Sequence, residues 1–363
     1  MKPRWLAANA ALFFCNLAQA ATAPPEFLHE ASEVFYASRY EAPNDINGDG
    51  LSDMLWFNAD TNQFGYWITS PKSTNSDYRL GGLKTINVTP GYYIAGVSDF
   101  DGNGTSDIVW TSANRDIYLW TSNGSSFTSR FVDHYPAGWH LVGAGDINGD
   151  GHADLLWMND GTCQFAYWLM NGSKRIGSAV KNIACGYHIA AIGHFTQSTR
   201  LDLLWTSNNH DIYLWIGKGS GFQSVMLGTY GANERIIEAA IAGDFGGVNV
   251  YTVDDVNAQF NQYEWQSYFD SRGNVTFTTF GLVGTHPVSA GSYLGTTGNF
   301  AGYNEAIMVW ANDTENQASN PQLPGALSWY TNTDSPSASM GGWNETATIA
   351  TYPSGWSLVG AHH

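Results

Sequence analysis

Basic residues are what this chain has least of. Only 15 Lys and Arg stand against 32 Asp and Glu, a formal net charge of −17. That balance excludes nucleic acid as a ligand, because a duplex binder neutralises phosphates with Lys and Arg. It also works against docking on an anionic membrane surface. Charge of either sign is sparse, at 13% of residues, whereas aromatics reach 14% and glycines number 40. A disordered chain shows the opposite balance. Long apolar runs are missing beyond the N-terminus, so no transmembrane segment is expected there. Runs at helical spacing are scarce as well. What remains is short apolar stretches broken by Gly, Asn, Asp and Ser, which is the pattern of strands and tight turns. With 363 residues, the chain is long enough for one large all-β domain or two average ones.

Cysteine is scarce too, with three residues. The first, Cys15, lies in a stretch that reads as a Sec-type signal peptide, residues 1–20. Lys2 and Arg4 supply the positive end, Trp5 to Ala18 is mostly apolar, and Ala18-Gln19-Ala20 gives cleavage after Ala20. Leu12-Phe13-Phe14 are too bulky for a lipidation box at Cys15. The expected location is therefore secreted or periplasmic. Cys163 and Cys185 remain, and an even count in an exported chain predicts a disulfide, with two separately buried thiols as the alternative. They flank a hairpin expected to turn at Asn171-Gly172.

Residues 21–44 form a lead-in, with Pro24-Pro25 and Phe35-Tyr36, that either adds a strand or packs outside. From residue 45 the chain repeats. Anchors at Asp45, Asp99, Asp146, His194, Asp244 and Asn299 set a period of about 47 to 55 residues. An apolar strand precedes each anchor after the first, as in Gly138-Trp139-His140-Leu141-Val142-Gly143-Ala144. Another follows each anchor, ending in Trp56, Trp110, Trp157, Trp205 or Trp310 in five repeats. A third carries Trp67, Trp120, Trp168, Trp215, Trp265 or Trp329, and a fourth completes the unit. Four strands per unit is the size of a propeller blade. The expected repeats are about 45–91, 92–138, 139–186, 187–236, 237–291 and 292–361, within a domain spanning 45–363.

Repeats alternate in type. Gln63-Phe64, Gln164-Phe165 and Gln259-Phe260 mark the odd ones, and Asp-Ile-Tyr-Leu-Trp at 116–120 and 211–215 marks the second and fourth. Pairing of this kind favours an even number of blades. Gly355-Trp356-Ser357-Leu358-Val359-Gly360-Ala361 copies the strand at 138–144, and repeat one lacks such a strand of its own. The C-terminal strand is expected to fill that place and close a ring of six blades, or seven if residues 26–44 supply one.

Three repeats carry one further pattern. Asp45-Ile46-Asn47-Gly48-Asp49-Gly50-Leu51-Ser52-Asp53 recurs as Asp99, Asp101, Asn103, Thr105 and Asp107, and again as Asp146, Asn148, Asp150, His152 and Asp154, each with glycines at positions 4 and 6. These loops hold nine of the 32 acidic residues. Oxygen donors at positions 1, 3, 5 and 9, with the backbone carbonyls of Leu51, Thr105 and His152 at position 7, describe a hard-cation site. Calcium fits better than magnesium, which demands stricter octahedral geometry. Position 12 is Trp56, Trp110 or Trp157 where an EF-hand has a bidentate Glu, so that loop type is excluded. About three calcium ions are expected. Repeat four reads His194, Thr196, Ser198 and Asp202 with Arg200 between, so it is expected to bind none, its Arg pairing with Asp202 instead. Repeats five and six have lost the loop.

The run Asp-x-Asn-Gly-Asp-Gly-x-x-Asp-Leu-Leu-Trp, followed by Tyr167-Trp168-Leu169-Met170-Asn171-Gly172, resembles the FG-GAP/VCBS repeats of exported bacterial proteins. The resemblance covers residues 45–361, closely in repeats one to three and weakly after. It implies a calcium-binding β-propeller related to the integrin α-subunit head and to some lectins. Fold and metal follow from it more firmly than function. Three functions compete. A binding or adhesion module would use calcium as a staple and take a glycan or protein ligand outside the cell. A lectin would stack sugars on aromatics outside the repeat register, with Trp139, Tyr187 and Trp356, read as lying beside the metal loops, as candidates. A polysaccharide-degrading enzyme, a lyase or hydrolase, is the weakest reading. No Gly-x-Ser-x-Gly, no His-Glu-x-x-His and no phosphate loop is present, and His140 and His188 share one strand position, which suits a repeat role.

Overall fold

The second strand of each repeat is its most apolar stretch, and it is covered on both faces. Met54–Asn58, Asp107–Ser112, Asp154–Asn159 and Asp202–Ser207 are buried throughout. A strand covered on both sides needs no polar alternation. The fourth strands are far more exposed, and Lys174–Asn182 alternates over most of its length because one of its faces meets water. The computed structural model describes residues 42–359, apart from 72–77, 82, 197, 220, 242–246, 270–274, 278–279, 289–291, 299, 301–306, 313–324, 333–342 and 354. The expected signal peptide and the lead-in up to residue 41 lie outside the described residues. Among the described residues no helix is long and apolar enough to cross a membrane.

Among the described residues, strands pair antiparallel into six blade sheets and one two-stranded ribbon, Thr69–Pro71 with Tyr78–Leu80. The second runs Tyr92–Ser98, Asp107–Ser112, Asp116–Ser122, Phe127–His134, and the third runs His140–Gly145, Asp154–Asn159, Gln164–Asn171, Lys174–Asn182. The fourth follows with Tyr187–Gly193, Asp202–Ser207, Asp211–Lys218 and Gly221–Thr229. In the fifth, Glu234–Ile241, Gly247–Asp254 and the long Gln259–Phe269 are joined by Gly281–Pro287, with Val275–Phe277 on the far end of the third strand. Its first strand begins inside the span expected for repeat four. The sixth is Ser292–Gly298, Ile307–Asn312, Gly325–Asn332 and Trp343–Tyr352. The first sheet holds Met54–Asn58, Gln63–Trp67 and Lys84–Asn87, and its innermost strand is Ser357–Leu358. Leu358 pairs with Trp56 and Ser357 with Phe57, so the C-terminal strand closes the ring as the copied segment predicted.

Side chains between sheets make the closure physical. The buried core falls into six clusters, and each joins two consecutive sheets. The last joins the sixth sheet to the first, with Phe300 and Val309 packed on Met54, Trp56 and Leu358. This is a closed six-bladed β-propeller. Tryptophans of second and third strands pair in register: Trp56–Trp67, Trp110–Trp120, Trp157–Trp168 and Trp205–Trp215 have ring centroids 4.8, 4.9, 4.8 and 4.8 Å apart. Five first strands share a register shift after Ile94, Leu141, Ile189, Ile236 and Leu294, a β-bulge that bends each strand at one place.

The alternation of repeats also has a structural counterpart. Blades one and three tie Gln63 to Asn87 and Gln164 to Asn182. Blades two and four instead join Ser112 and Tyr92 to Asp116, and Ser207 and Tyr187 to Asp211. Cys163 and Cys185 form a disulfide with Cα atoms 5.0 Å apart, joining the turn before the third strand of blade three to the segment after its fourth.

Candidate functional site

Each acidic loop joins a first strand to a second, and all three curl in the same way. Glycines at positions 4 and 6 have positive φ: 76° and 83° at Gly48 and Gly50, 72° and 81° at Gly102 and Gly104, 79° and 83° at Gly149 and Gly151. That conformation is costly for a residue with a Cβ. The curl points backbone amides inward, and the position-1 carboxylate collects them. Asp45 accepts from the amides of Gly48, Asp49 and Gly50. Asp99 does so from Asp101, Gly102, Asn103 and Gly104. Asp146 does so from Asn148, Gly149, Asp150 and Gly151.

The closing aspartates have a different task. One carboxylate oxygen accepts from the loop: Ile46, Phe100 or Ile147 N–H. The other accepts from the end of the third strand: Thr69, Ser122 or Met170 N–H, at 2.8, 2.7 and 2.8 Å. Asp53, Asp107 and Asp154 thereby tie the loop to the rest of its blade. Burial pushes their carboxyls up to about 7, about 8 and about 8, against the pull of those amides, and neighbouring loop carboxylates add to the rise. Burial also raises Asp45 and Asp146.

The expected ligands come together unequally. In the second loop, Asp99, Asp101 and Asp107 bring carboxylate oxygens within 4.8 Å of one another. There Asn103 Oδ1 accepts from the Thr105 amide and hydroxyl, and Asn103 Nδ2 donates to the Ser122 carbonyl. In the first and third loops the position-3 amides of Asn47 and Asn148 each donate to Asp49 or Asp150 at 2.9 Å, and both aspartates are exposed. Asn47 Oδ1 accepts from Asp49 N–H. Asn148 Oδ1 is buried and has no hydrogen-bond partner among the described residues. A buried acceptor without a donor calls for a cation or a water. Oxygen-only donors of this kind suit a hard divalent cation.

The position-7 residues turn out to link loops. Thr105 lies against Gly48 of the preceding loop, and His152 lies against Gly102. His152 Nδ1 also sits 3.2 Å from the Phe100 carbonyl. Leu51 is buried. Backbone bonds complete the arc: Ser106 N–H to the Asp45 carbonyl at 2.6 Å, Ala153 to Asp99 at 2.8 Å, and Leu201 to Asp146 at 2.9 Å.

Two expectations are corrected. Arg200 does not pair with Asp202. Thr196 takes that place, its N–H and hydroxyl both bonding Asp202, which also accepts from Gly217 N–H. A neutral hydroxyl satisfies the buried carboxylate without desolvating a guanidinium. Trp139, Tyr187 and Trp356 do not flank the acidic loops. They stand at the start of the first strands, a strand length away, where they pack into interblade clusters. The loop segments of repeats five and six lie largely outside the described residues.

That far end of the first strands holds what sequence reasoning passed over. Blades three, four and five line an open cavity of about 670 Å³, bordered among others by His140, Asp160, His188, Asn208, His210 and Arg235. The shared strand position of His140 and His188 was the available signal. It reads as a repeat feature until the ring places the two side by side.

The sequence of residues 99–179 matches the family model of the FG-GAP-like repeat. A search of curated proteins finds no matching sequence. Among solved structures, the chain is similar to a variant of the Aleuria aurantia lectin in complex with Fucα1-6GlcNAc, with a TM-score of 0.50 and 11% identity, covering 92% of this chain and 98% of that one. It is also similar to the periplasmic gluconolactonase of Pseudomonas aeruginosa, with a TM-score of 0.47 and 14% identity over 82% and 80% of the two chains. Identities this low speak of fold alone. Residues 99–179, similar to the FG-GAP-like repeat, thus lie in the second and third of the six antiparallel sheets of a β-propeller.

Proposed function

We propose that this propeller is an exported binding or adhesion module whose first three blades are stapled by calcium. The convergence of Asp99, Asp101 and Asp107 carries the metal reading. The unpartnered Asn148 Oδ1 supports it in the third loop, and the shared glycine geometry extends it to the first. Asp45, Asn47, Asp49 and Asp53, with the Leu51 carbonyl, would hold one ion. Asp99, Asp101, Asn103 and Asp107, with the Thr105 carbonyl, would hold a second. Asp146, Asn148, Asp150 and Asp154, with the His152 carbonyl, would hold a third. Bound cations would neutralise carboxylates that burial now penalises and fix loops that already contact one another. A rigid ring of this kind would present its surface to a glycan or protein ligand outside the cell; the fold alone does not decide between binding and catalysis, and binding is favoured because the sequence carries none of the common catalytic motifs.

Thermal unfolding with calcium and with chelator tests the metal. Binding to the native state alone stabilises it by about 2.7 kcal/mol per site when calcium is at 100 times Kd. The melting temperature is expected to rise with calcium and to rise less in Asp101→Ala, whose side chain is exposed. Identical melting with calcium and chelator would sink the reading.

A further inference from the structure

The cavity between blades three, four and five sits at the end of the ring opposite the acidic loops. It is built by one register position in successive blades. His140, His188 and Arg235 occupy the same place, directly before the bulge residues Leu141, Ile189 and Ile236. The corresponding residues are Tyr93 in blade two and Tyr293 in blade six. Nitrogen-bearing side chains therefore replace hydroxyphenyl rings on one side of the ring only. The turns between second and third strands add Asp160 from blade three, and Asn208 and His210 from blade four.

Half of the polar groups on the wall are already engaged. Tyr230 bonds Thr206, Ser207 bonds Asp211, Arg235 bonds Asp255, and Glu234 accepts from Thr252 and Tyr263. Five are not. His188, Asn208 and His210 make no side-chain hydrogen bond among the described residues, and His140 and Asp160 have only a loose mutual approach at 4.0 Å. His210 is held at φ 59° with its ring against Tyr230, centroids 5.0 Å apart, which fixes it at the rim. The floor is apolar, from Val142, Met158, Ile189 and Ile236.

Imidazole in its neutral form and carboxamide each offer a donor and an acceptor. A hydroxyl group needs both. An anion would gain nothing from Asp160 in a chain of net charge −17, and a cation would meet Arg235. About 670 Å³ lies within the range of small-molecule sites and exceeds a single sugar ring. We propose that this cavity binds a neutral, polyhydroxylated ligand of mono- or disaccharide size, held by His140, His188, Asn208, His210 and Asp160. The site deepens the reading of the ring as a binding module, yet it shares no residue with the acidic loops.

The test is titration calorimetry of the full chain in calcium with neutral mono- and disaccharides, and with galacturonic acid and glucosamine as charged controls. At least one neutral sugar is expected to bind. His188→Ala and Asn208→Ala should each weaken it at least tenfold while the calcium-dependent melting shift stays as in the unaltered chain. His188→Gln, which keeps a donor and an acceptor, should weaken it less. Three results would overturn the proposal: no neutral sugar binding at millimolar concentration, binding of the charged controls alone, or sugar affinity unchanged in both alanine variants. The melting shift separates this outcome from failure of the calcium reading.

Discussion

Single residues in this ring are best understood by which hydrogen bonds they cannot share. Asp202 is the clearest case, because it keeps the place of the closing aspartate in a loop that lost its other acids. Its two oxygens accept three bonds, from Thr196 N–H and hydroxyl and from Gly217 N–H, each at 2.8 Å. Asn offers one acceptor oxygen, so either orientation turns an NH2 toward a buried backbone N–H. Asp202→Asn is expected to cost about 1–3 kcal/mol, the desolvation of an orphaned donor. Urea unfolding measures it, and a change below about 0.5 kcal/mol, the level of an unremarkable surface substitution, would refute the staple role. Spacing in the sequence marked this aspartate as part of the repeat. It did not show that the same side chain at 53, 107 and 154 spends both oxygens on backbone amides, because its third-strand donors lie 15 or 16 residues further on.

At the scale of strand and loop, the sequence was legible where a period repeats and illegible where blades meet. Apolar runs ending in Trp56, Trp110, Trp157 and Trp205 became fully buried second strands. The Gly-Trp-Ser-Leu copy at 355–358 became the missing strand of blade one. The cavity, by contrast, brings together residues 140, 188 and 235, roughly one repeat apart each time, and no local pattern announces that three neighbours will open a hollow. The same distance misplaced Trp139, Tyr187 and Trp356, since a first strand carries its two ends to opposite faces of the ring. The loops also make a prediction about pH. Folded-state carboxyls of Asp53, Asp107 and Asp154 lie at about 7, about 8 and about 8, above an ordinary value of 3.8. A raised carboxyl means the folded chain holds protons the unfolded chain has released. Their contribution is complete below pH about 4 and lost as pH rises through 7 to 8. Chelated protein is expected to lose stability across that window, and saturating calcium to flatten the loss. Melting temperatures at pH 5, 6, 7 and 8, with and without calcium, decide it; a chelated protein most stable at pH 8 would contradict these shifts.

For the whole molecule the decisive contact is the seam between the last blade and the first. Four interblade clusters form wholly between segments adjacent in sequence; the one between blades one and two also takes in Val359, and the one between blades six and one requires the chain to return on itself. Leu358 is the residue on which that return depends. It is 4% exposed, pairs with Trp56, lies close to Gly295 of blade six, and is followed by Val359, whose N–H bonds the Leu55 carbonyl at 2.9 Å. Truncating a buried Leu costs about 2–5 kcal/mol, more where the site cannot collapse. Two facing sheets in a closed ring have little freedom to do so. Leu358→Ala is expected near the upper end of that range, and Leu358→Asp to open the seam, because a carboxylate there would be buried without a partner. Opening exposes Trp56 and Tyr352, which share the cluster. Red-shifted tryptophan emission and early proteolytic release of the C-terminal strand should therefore accompany the loss. If Leu358→Asp instead unfolds as cooperatively and at the same temperature as the unaltered chain, ring closure by the C-terminal strand is not what holds this propeller together, and five seams suffice.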